Sequence, residues 1–436
     1  MSNPDIEAVR AQFPALSGDQ VFFDNAGGSQ TLGTVIEAIR DYLLRTNVQL
    51  GASYKTSSLS TERYNAGFAA GARYINAEES EIVFGASTTQ LLRNVSFALE
   101  FSEGDEIVVS SIDHEANIAP WVDLAARQRL VLRWWTPSLS APPSSPTDPR
   151  LLPSSLAPLL TPRTRLVACT HASNVLGGIH PVAAVAAAVR AGPSPDALLA
   201  VDGVSYAPHR PVDVRALGVD LYAFSWYKVY GPHLAMLYAG PRAQRRMRSL
   251  GHFFKEGVTL EEKIGLAGAS YELLHAIPAV TAYLGGGGGG GAPSHWPAAA
   301  AQEEALQRRL LAYLAGARRP DVTVYGDVTG DPAARVATVS FRVRGWSSRD
   351  VVAAVEAGGG RGGGGGGGGD GGGTPLFGFR WGAFYSERLV ADLLGLGADG
   401  VVRVSLAHYN TLEEVDAFID AMEKYVPNKE QIGIAE

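Results

Sequence analysis

The sequence has 436 residues, with 46% apolar and 19% charged side chains and a formal net charge of −7, which is typical of a two-domain globular protein and offers no basic surface for nucleic acid. It has one cysteine, which excludes an intrachain disulfide framework, and no run of about 18 apolar residues, so we expect no membrane-spanning helix. The N-terminus has neither the basic start nor the apolar run of a signal peptide, and we expect a cytoplasmic location.

Short β-rich runs alternate with longer helical segments between residues 81 and 238. The predicted strands are Glu81–Phe84, Glu106–Ser110, Arg165–Thr170, Leu198–Asp202, Asp220–Ser225 and Leu234–Tyr238. Helices are predicted at Thr88–Glu100 and Pro181–Ala191, and the Pro- and Ser-rich stretch Pro142–Pro162 is predicted to be a surface loop. This alternation predicts an α/β domain with a mainly parallel, buried sheet, in which ligands gather at the carboxyl ends of the strands.

Two glycine runs, 285–291 and 358–373, interrupt the second half of the chain. Polyglycine buries no side chains and has high conformational entropy, so we expect both segments to be flexible. Around them we predict a helix at Ala298–Ala315, a strand at Val336–Val343, and helices that begin near Ser348 and Leu412. This part of the chain is therefore predicted to form a smaller α+β domain.

Two charged residues follow buried strands of the predicted sheet. Lys228 comes just after Asp220–Ser225, and a desolvated lysine has a lowered pKa and can form a Schiff base. Asp202 ends the preceding strand, where a carboxylate could keep a pyridinium nitrogen protonated. Taken singly, a lysine is more often a solvated surface group and an aspartate is more often a helix cap. The two are one βα unit apart, so both can face the same cleft.

Further polar clusters also follow predicted strands. Thr88 stands at a helix start, which can bind an anion or be capped locally, and Asn174 lies in a polar turn. His114 could stack on a ring or be an ordinary hydrogen-bonded loop residue. Arg403 lies in an apolar strand and needs an anion, either a substrate carboxylate or a structural partner. Together, five polar clusters at strand ends of one sheet are what a cofactor site in an α/β fold requires.

In chain order, the motifs FFDNAGGS, GASTTQ, DHEAN, THASNVLGG, AVDG, FSWYKVYGP and RVSLAHYNT resemble the motif series of class V aminotransferases. This is the group of fold-type I pyridoxal 5′-phosphate (PLP) enzymes that includes cysteine desulfurases, and the resemblance covers about Val21 to Val426. It implies a fold-type I PLP-dependent transferase that is a homodimer with an amino-acid substrate. The implied large domain is 21–284, with a seven-stranded-type sheet, and the small α+β domain is 1–20 and 292–436.

The resemblance also implies residue roles. Lys228 matches the Schiff-base lysine, Asp202 the carboxylate on the pyridine nitrogen, and His114 the histidine that stacks on the ring; these are the predicted catalytic residues. The predicted substrate-binding residues are Arg403, Asn174 and Asn25. The predicted cofactor contacts other than the three catalytic residues are Thr88, Thr89, Asn174, Ser205, Ser225, Tyr227 and Gly268, and no metal ligand is predicted.

The chain departs from the family pattern at several positions. Tyr227 stands where the family often has histidine, Ser205 where it often has glutamine, and Gly268 near the point where a partner subunit usually offers Gly-Thr. The position of the mobile cysteine of desulfurases corresponds to Tyr385, and Cys169 lies in a predicted strand.

We therefore expect lyase or aminotransferase chemistry at the α-carbon rather than a persulfide relay. Racemisation or epimerisation on the same fold is the first alternative. A catalytically inactive protein of this fold that acts as a binding partner is the second. An unrelated nucleotide-binding α/β enzyme is disfavoured because no glycine fingerprint stands between a strand and a helix.

Overall fold

The computed structural model describes residues 5–139, 145–265, 268–285, 295–359 and 375–428. Within these ranges thirteen strands form three sheets. The strands are β1 (Gln20–Phe22), β2 (Ile82–Gly85), β3 (Glu106–Ser110), β4 (Val131–Trp135), β5 (Thr164–Thr170), β6 (Leu198–Asp202), β7 (Leu221–Ser225), β8 (Ala235–Ala239), β9 (Val322–Tyr325), β10 (Thr338–Val343), β11 (Leu376–Gly378), β12 (Arg380–Gly382) and β13 (Val401–Ser405).

Fifteen α-helices lie in the same described ranges, together with 3-10 turns and a π-helix at Arg388–Leu393. The helices are α1 (Ile6–Arg10), α2 (Gly33–Arg45), α3 (Lys55–Tyr74), α4 (Thr88–Ala98), α5 (Ala119–Gln128), α6 (Pro153–Leu156), α7 (Val182–Ala191), α8 (Val214–Leu217), α9 (Pro241–Gln244), α10 (Leu260–Ile264), α11 (Tyr271–His275), α12 (Ile277–Tyr283), α13 (Trp296–Leu314), α14 (Ser348–Gly358) and α15 (Leu412–Tyr425). None of these described helices is long and apolar enough to cross a bilayer.

The largest sheet has seven strands in the order β2-β8-β7-β6-β5-β3-β4. Only β8 runs against its neighbours, and the pairs from β7 to β4 are all parallel. Both faces are covered: along β6, Leu199 and Val201 join one core cluster, while Leu198 and Ala200 join another. Side chains of a strand alternate between its two faces, so a strand buried on both must be apolar throughout. The predicted α/β fold with a mainly parallel sheet is confirmed.

The carboxyl ends of β3, β5, β6 and β7 lie side by side, because these strands are parallel and in the order β7-β6-β5-β3. Each of the loops that follow them carries a predicted site residue. β3 and β6 begin and end where the sequence predicts, and β2, β5, β7 and β8 do so within one residue at either end. The topology therefore gathers the chemistry at one edge of the sheet.

Two sequence-based expectations about this half need correction. β4, an edge strand with the residues VLRWW, was not predicted, because its outer position leaves most of it partly exposed and lets Arg133 interrupt the apolar run. Pro142–Pro162 is not simply a surface loop: within its described part, 145–162, it contains α6, and Leu151 and Leu156 are fully buried. Leu156 reaches the core because α6 packs on α7.

The C-terminal part has a four-stranded antiparallel sheet in the order β12-β13-β10-β9, with α13 and α14 packed against it and α15 packed on these two helices. β1 pairs with β11, and Val21 and Phe23 belong to the core cluster of this part, with Phe23 packed against Phe377 and Phe418. The division of the chain into a large domain, 21–284, and a small domain, 1–20 and 292–436, stays a proposal. Because Val21 and Phe23 pack in the core of the C-terminal part, the boundary between the two domains near residue 21 would move toward Phe23. Residues 286–291 and 360–373 of the glycine runs lie outside the described residues.

Candidate active site

One cavity opens at the carboxyl ends of β5, β6 and β7. It brings together all the predicted cofactor residues except Gly268. Its lining residues are Ser87, Thr88, Thr89, His114, Ala116, Thr170, Asn174, Asp202, Val204, Ser205, Ser225, Tyr227 and Lys228. They come from the carboxyl ends of β5, β6 and β7, from the loops that follow these strands and β3, and from the start of α4.

Lys228 ends the short 3-10 turn that follows β7. The turn is closed by the hydrogen bond from Val229 N to Trp226 O, at 2.8 Å. Only 8% of Lys228 is exposed. Burial, followed by the positive charge of Arg403, lowers the pKa of Lys228 from 10.5 to about 8, and the carboxylate of Asp202 opposes this shift. A sizeable fraction of this amine is therefore neutral and nucleophilic near neutral pH.

Asp202 is the last residue of β6 and is buried. Its Oδ1 accepts a hydrogen bond from Val204 N at 2.8 Å, so the carboxylate is fixed to the turn that follows the strand. Burial raises the pKa of Asp202, while the Val204 N–H and the charge of Lys228 oppose that rise. The carboxylate thus needs a cationic or hydrogen-bonding partner in the cavity, which is what a pyridinium nitrogen would supply.

His114 follows β3 and lines the cavity. Its Nδ1 accepts a hydrogen bond from Ala116 N at 3.0 Å, which places the ring proton on Nε2. Burial, then the charges of Lys228 and Arg403, lower the pKa of His114 to about 4. The ring is consequently neutral, a state suited to stacking on an aromatic ligand.

The start of α4 forms an anion-binding end of the cavity. Ser87 is the N-cap, and its hydroxyl accepts from Gln90 N at 3.1 Å. Thr88 Oγ1 lies 2.8 Å from Ser225 Oγ, so two hydroxyls from different elements meet beside the helix start. The first N–H groups of a helix have no intrahelical acceptor and attract phosphates.

Arg403 lies on β13 and reaches the sheet edge from the C-terminal part. Its Nη1 donates to Asn174 O at 3.1 Å and its Nη2 donates to Asp24 Oδ1 at 2.9 Å, while its Nε is buried without a partner. Asp24 also pairs with Arg380 Nε at 2.5 Å. Of the two anionic partners expected for Arg403, the structural one is thus present as Asp24. The buried Nε has no partner and is available to a ligand.

Three predicted residues do not line this cavity: Arg403, which reaches its edge through Asn174, and Asn25 and Gly268. The Asn25 amide nitrogen donates to Ser405 O at 2.9 Å and Phe22 O at 2.9 Å, and its Oδ1 accepts from the Tyr409 hydroxyl. These contacts hold the FFDNAGGS motif against β13. The side-chain amide of Asn25 is thus bound within the protein, which does not support the expectation that it binds substrate. Gly268 lines a separate cavity with Tyr64 and Tyr271, and its own chain does not bring it to Lys228.

Residues 21–418 match the family model described as aminotransferase class-V, which covers most of the chain. This chain belongs to the class V aminotransferase family. It is 51% identical to the aminotransferase-like protein FGM3 of Gibberella zeae, over 97% of this chain and 98% of that protein. It is 38% identical to the cysteine desulfurase-like protein ustD of Aspergillus flavus, over 97% of this chain and 91% of that protein.

Solved structures share this fold. An apo cysteine desulfurase from Thermococcus onnurineus NA1 superposes with a TM-score of 0.80 at 26% identity, covering 97% of this chain and 98% of that one. A C-DES mutant with glycine covalently linked to its PLP cofactor shares the fold, with a TM-score of 0.73 at 21% identity, covering 95% of this chain and 99% of that one. Membership of the class V aminotransferase family makes this chain a PLP-dependent enzyme.

The cavity of this class V enzyme fits the cofactor. A buried amine, a buried carboxylate without a cationic hydrogen-bond partner, a neutral imidazole and a helix start with two hydroxyls line the same space. No group of three or more described His, Cys, Asp or Glu side chains is arranged to hold a metal ion.

Three residues around the cavity, Asp113, Phe384 and Ser386, were not predicted from the sequence. Asp113 is fully buried, its Oδ2 accepts from Asn117 Nδ2 at 2.7 Å, and its Oδ1 has no partner. The pKa of Asp113 is raised to about 8, mainly by burial and to a smaller extent by the charge of Asp202, so Asp113 is mainly a protonated carboxylic acid at neutral pH. Asp113 is the first residue of the DHEAN motif, in which only the histidine was predicted to have a role. Phe384 and Ser386, which contact Asn174, follow β12 of the four-stranded sheet. Their position in the sequence therefore did not indicate that they lie beside the cavity of the seven-stranded sheet.

Proposed function

We propose that this PLP-dependent enzyme acts at the α-carbon of an amino acid, by lyase or aminotransferase chemistry. The observation that carries the proposal is that the buried Lys228 and Asp202 line one cavity together with His114. Such an arrangement is required to hold a pyridine ring between a base and a counter-charge. A cytoplasmic location is part of the same proposal.

The residues present would hold the cofactor at three points. The start of α4 with Thr88 and Ser225 would bind its phosphate, Asp202 its ring nitrogen and the imidazole of His114 its ring face, with Thr89, Ser205 and Tyr227 beside it. When bound, PLP supplies an electron sink that stabilises negative charge at the α-carbon of an amino acid.

The chain's own residues then divide the work on the substrate. The Lys228 amine, with its lowered pKa, would take the proton from the α-carbon and return it. Arg403 Nε, buried without a partner, would bind the α-carboxylate, and Asn174 would hold the substrate beside it. Because Arg403 stays charged even with its pKa lowered to about 10 by burial, this contact persists at neutral pH.

A persulfide relay does not suit this chain. The one cysteine, Cys169, lies inside β5 with 1% of its surface exposed, and burial raises the pKa of its thiol well above the ordinary value. A persulfide carrier must be a thiolate that moves to the substrate. Tyr385, at the corresponding loop position, is 73% exposed and has no sulfur. We therefore propose that sulfur is not retained on the enzyme.

A homodimer is part of the proposal. Gly268 lies away from the cavity of its own chain, beside a surface where Phe253 and Phe254 are 99% and 67% exposed. Large exposed apolar side chains mark interaction surfaces. The family resemblance implies that a second copy covering them would bring its Gly268 to the phosphate end of this cavity, where a glycine offers only a backbone contact.

Epimerisation is the second candidate function, because it uses the same α-proton transfer. An inactive binding protein is the third, motivated by the departures at Tyr227, Ser205 and Gly268; the ring of Tyr227 stacks on His233, with centroids 4.9 Å apart.

A panel of L-amino acids tests the proposal. The wild-type holoenzyme is incubated with each, and keto acid, sulfide and D-isomer are assayed. Keto acid or an eliminated side chain supports the proposal, and D-isomer alone supports epimerisation. Lys228→Ala must lose all products, while the exposed Lys424→Ala must keep them. Sulfide held on the enzyme as a persulfide would refute the argument from Cys169, and no product with any amino acid would favour the inactive protein.

A further inference from the structure

The loop Ala383–Ser386 joins β12 to the π-helix and passes over the sheet edge. Phe384 and Tyr385 both have left-handed backbones, with φ of 54° and 58°. Residues with a β-carbon enter this region rarely, and they stay there only where surrounding contacts hold them. The contacts that hold this loop are therefore informative about its role.

Both ends of the Asn174 amide are bound by this loop. Asn174 Nδ2 donates to Phe384 O at 2.9 Å, and Ser386 Oγ donates to Asn174 Oδ1 at 3.0 Å. A backbone carbonyl can only accept, so the amide nitrogen must face Phe384 and the amide oxygen must face Ser386. The orientation of the amide is thus fixed by chemistry.

This orientation determines what Asn174 can offer a ligand. Its oxygen is engaged by Ser386, and one of its two amide hydrogens is engaged by Phe384. The remaining hydrogen of this cavity-lining residue is a donor, which suits an anionic oxygen of a ligand rather than an N–H group.

The same loop holds the arginine. The ring of Phe384 lies 3.8 Å from Arg403 Cζ, and Arg403 Nη1 donates to the main-chain oxygen of Asn174. Tyr385 O accepts from Glu115 N at 2.7 Å, which ties the loop to the residue after His114. One short segment therefore contacts Asn174 and Arg403 directly and the His114 turn through its backbone.

We propose that Phe384 and Ser386 are positioning residues of the substrate site, which hold the Asn174 amide and the Arg403 guanidinium in the orientation that receives the α-carboxylate of an amino acid. The left-handed backbone of Phe384 directs its carbonyl to Asn174 while its ring stacks on Arg403. This inference rests on the proposed function, since it assigns these two residues to the same site.

Ser386→Ala tests the hydrogen-bonding half. Loss of one hydrogen bond should raise KM for the amino-acid substrate about three- to tenfold, with kcat changed less than about twofold. Asn174 lines the cavity proposed for the cofactor, and Ser386→Ala no longer fixes its amide donor there. The pH midpoint of the visible band of the substrate-free holoenzyme should therefore rise. Ser386→Thr, which keeps the hydroxyl, should restore both values.

A double-mutant cycle separates positioning from general stability. In an Asn174→Ala background, Ser386→Ala should change neither KM nor the midpoint further, because the group it positions is gone. Ser60→Ala is the matched control: Ser60 is a buried serine whose hydroxyl meets Tyr42, away from the cavity, and its loss should move neither value. Phe384→Leu tests the stacking of the Phe384 ring on Arg403. It should raise KM without shifting the pH midpoint of the visible band.

The inference is overturned if folded, yellow Ser386→Ala keeps the wild-type KM and midpoint, or if its effects persist in the Asn174→Ala background. If Ser386→Ala does not fold, Phe384→Leu decides, and an unchanged KM overturns the inference. A wild-type protein that takes up no PLP would instead defeat the proposed function, and this inference with it.

Discussion

The pH dependence of cofactor uptake by the apoenzyme follows from the environment of Lys228. Uptake needs the neutral amine, and burial together with Arg403 lowers the pKa of that amine from 10.5 to about 8. At pH 7 about 10% of Lys228 would be neutral, against about 0.03% of a solvated lysine, a gain of about 300-fold in reactive amine. Uptake should therefore rise about tenfold per pH unit and level off near pH 8.

The assay is the growth of visible absorbance after apoenzyme and PLP are mixed, followed between pH 6 and pH 10. Arg403→Gln should move the midpoint upward, because it removes the second cause of the lowered pKa, while the exposed Arg318→Gln should leave it unchanged. A rate that climbs steadily beyond pH 9 in the wild type would show that Lys228 titrates like a solvated lysine, and the account of its burial would be wrong.

Three further outcomes are expected. Asp202→Asn should keep cofactor binding but lower kcat by about a hundredfold or more, since a neutral amide cannot hold the ring nitrogen cationic, and a rate close to wild type would contradict that role. Cys169→Ala should keep the product profile and at least half of the activity, because Cys169 is buried in β5; a selective loss of activity would revive a sulfur-relay mechanism. For Asp113, burial raises the folded-state pKa from 3.8 to about 8, so the wild type should lose stability as pH rises between those values. Asp113→Asn should not lose stability in this way, so its Tm minus that of the wild type should grow as pH rises. A Tm difference that stays constant with pH would refute the raised pKa of Asp113.

The parallel sheet could be predicted from sequence because its strands are buried on both faces. In β6 all five residues are buried, so an unbroken apolar run ending in Asp202 marks both the strand and its carboxyl end. Once the strands were located, the topology required Asp202, Lys228 and His114 to lie together. β4 was missed because Arg133 interrupts its apolar run, which its partly exposed outer position allows.

The outer part of the site could not be predicted in the same way. Arg403, Phe384 and Ser386 belong to the C-terminal part, and nothing in their local sequence says which edge of the large sheet they meet. Asn25 illustrates the opposite problem, since its motif fits a ligand-binding loop while its amide is used to join the chain to β13. Such contacts depend on tertiary packing rather than on local pattern.

Borohydride reduction of the holoenzyme, followed by peptide mass mapping, tests the central claim most directly. The account predicts that reduction abolishes the visible band and leaves the cofactor attached to the peptide that contains Lys228. Attachment at any other lysine, or a protein that carries no cofactor at all, would contradict it.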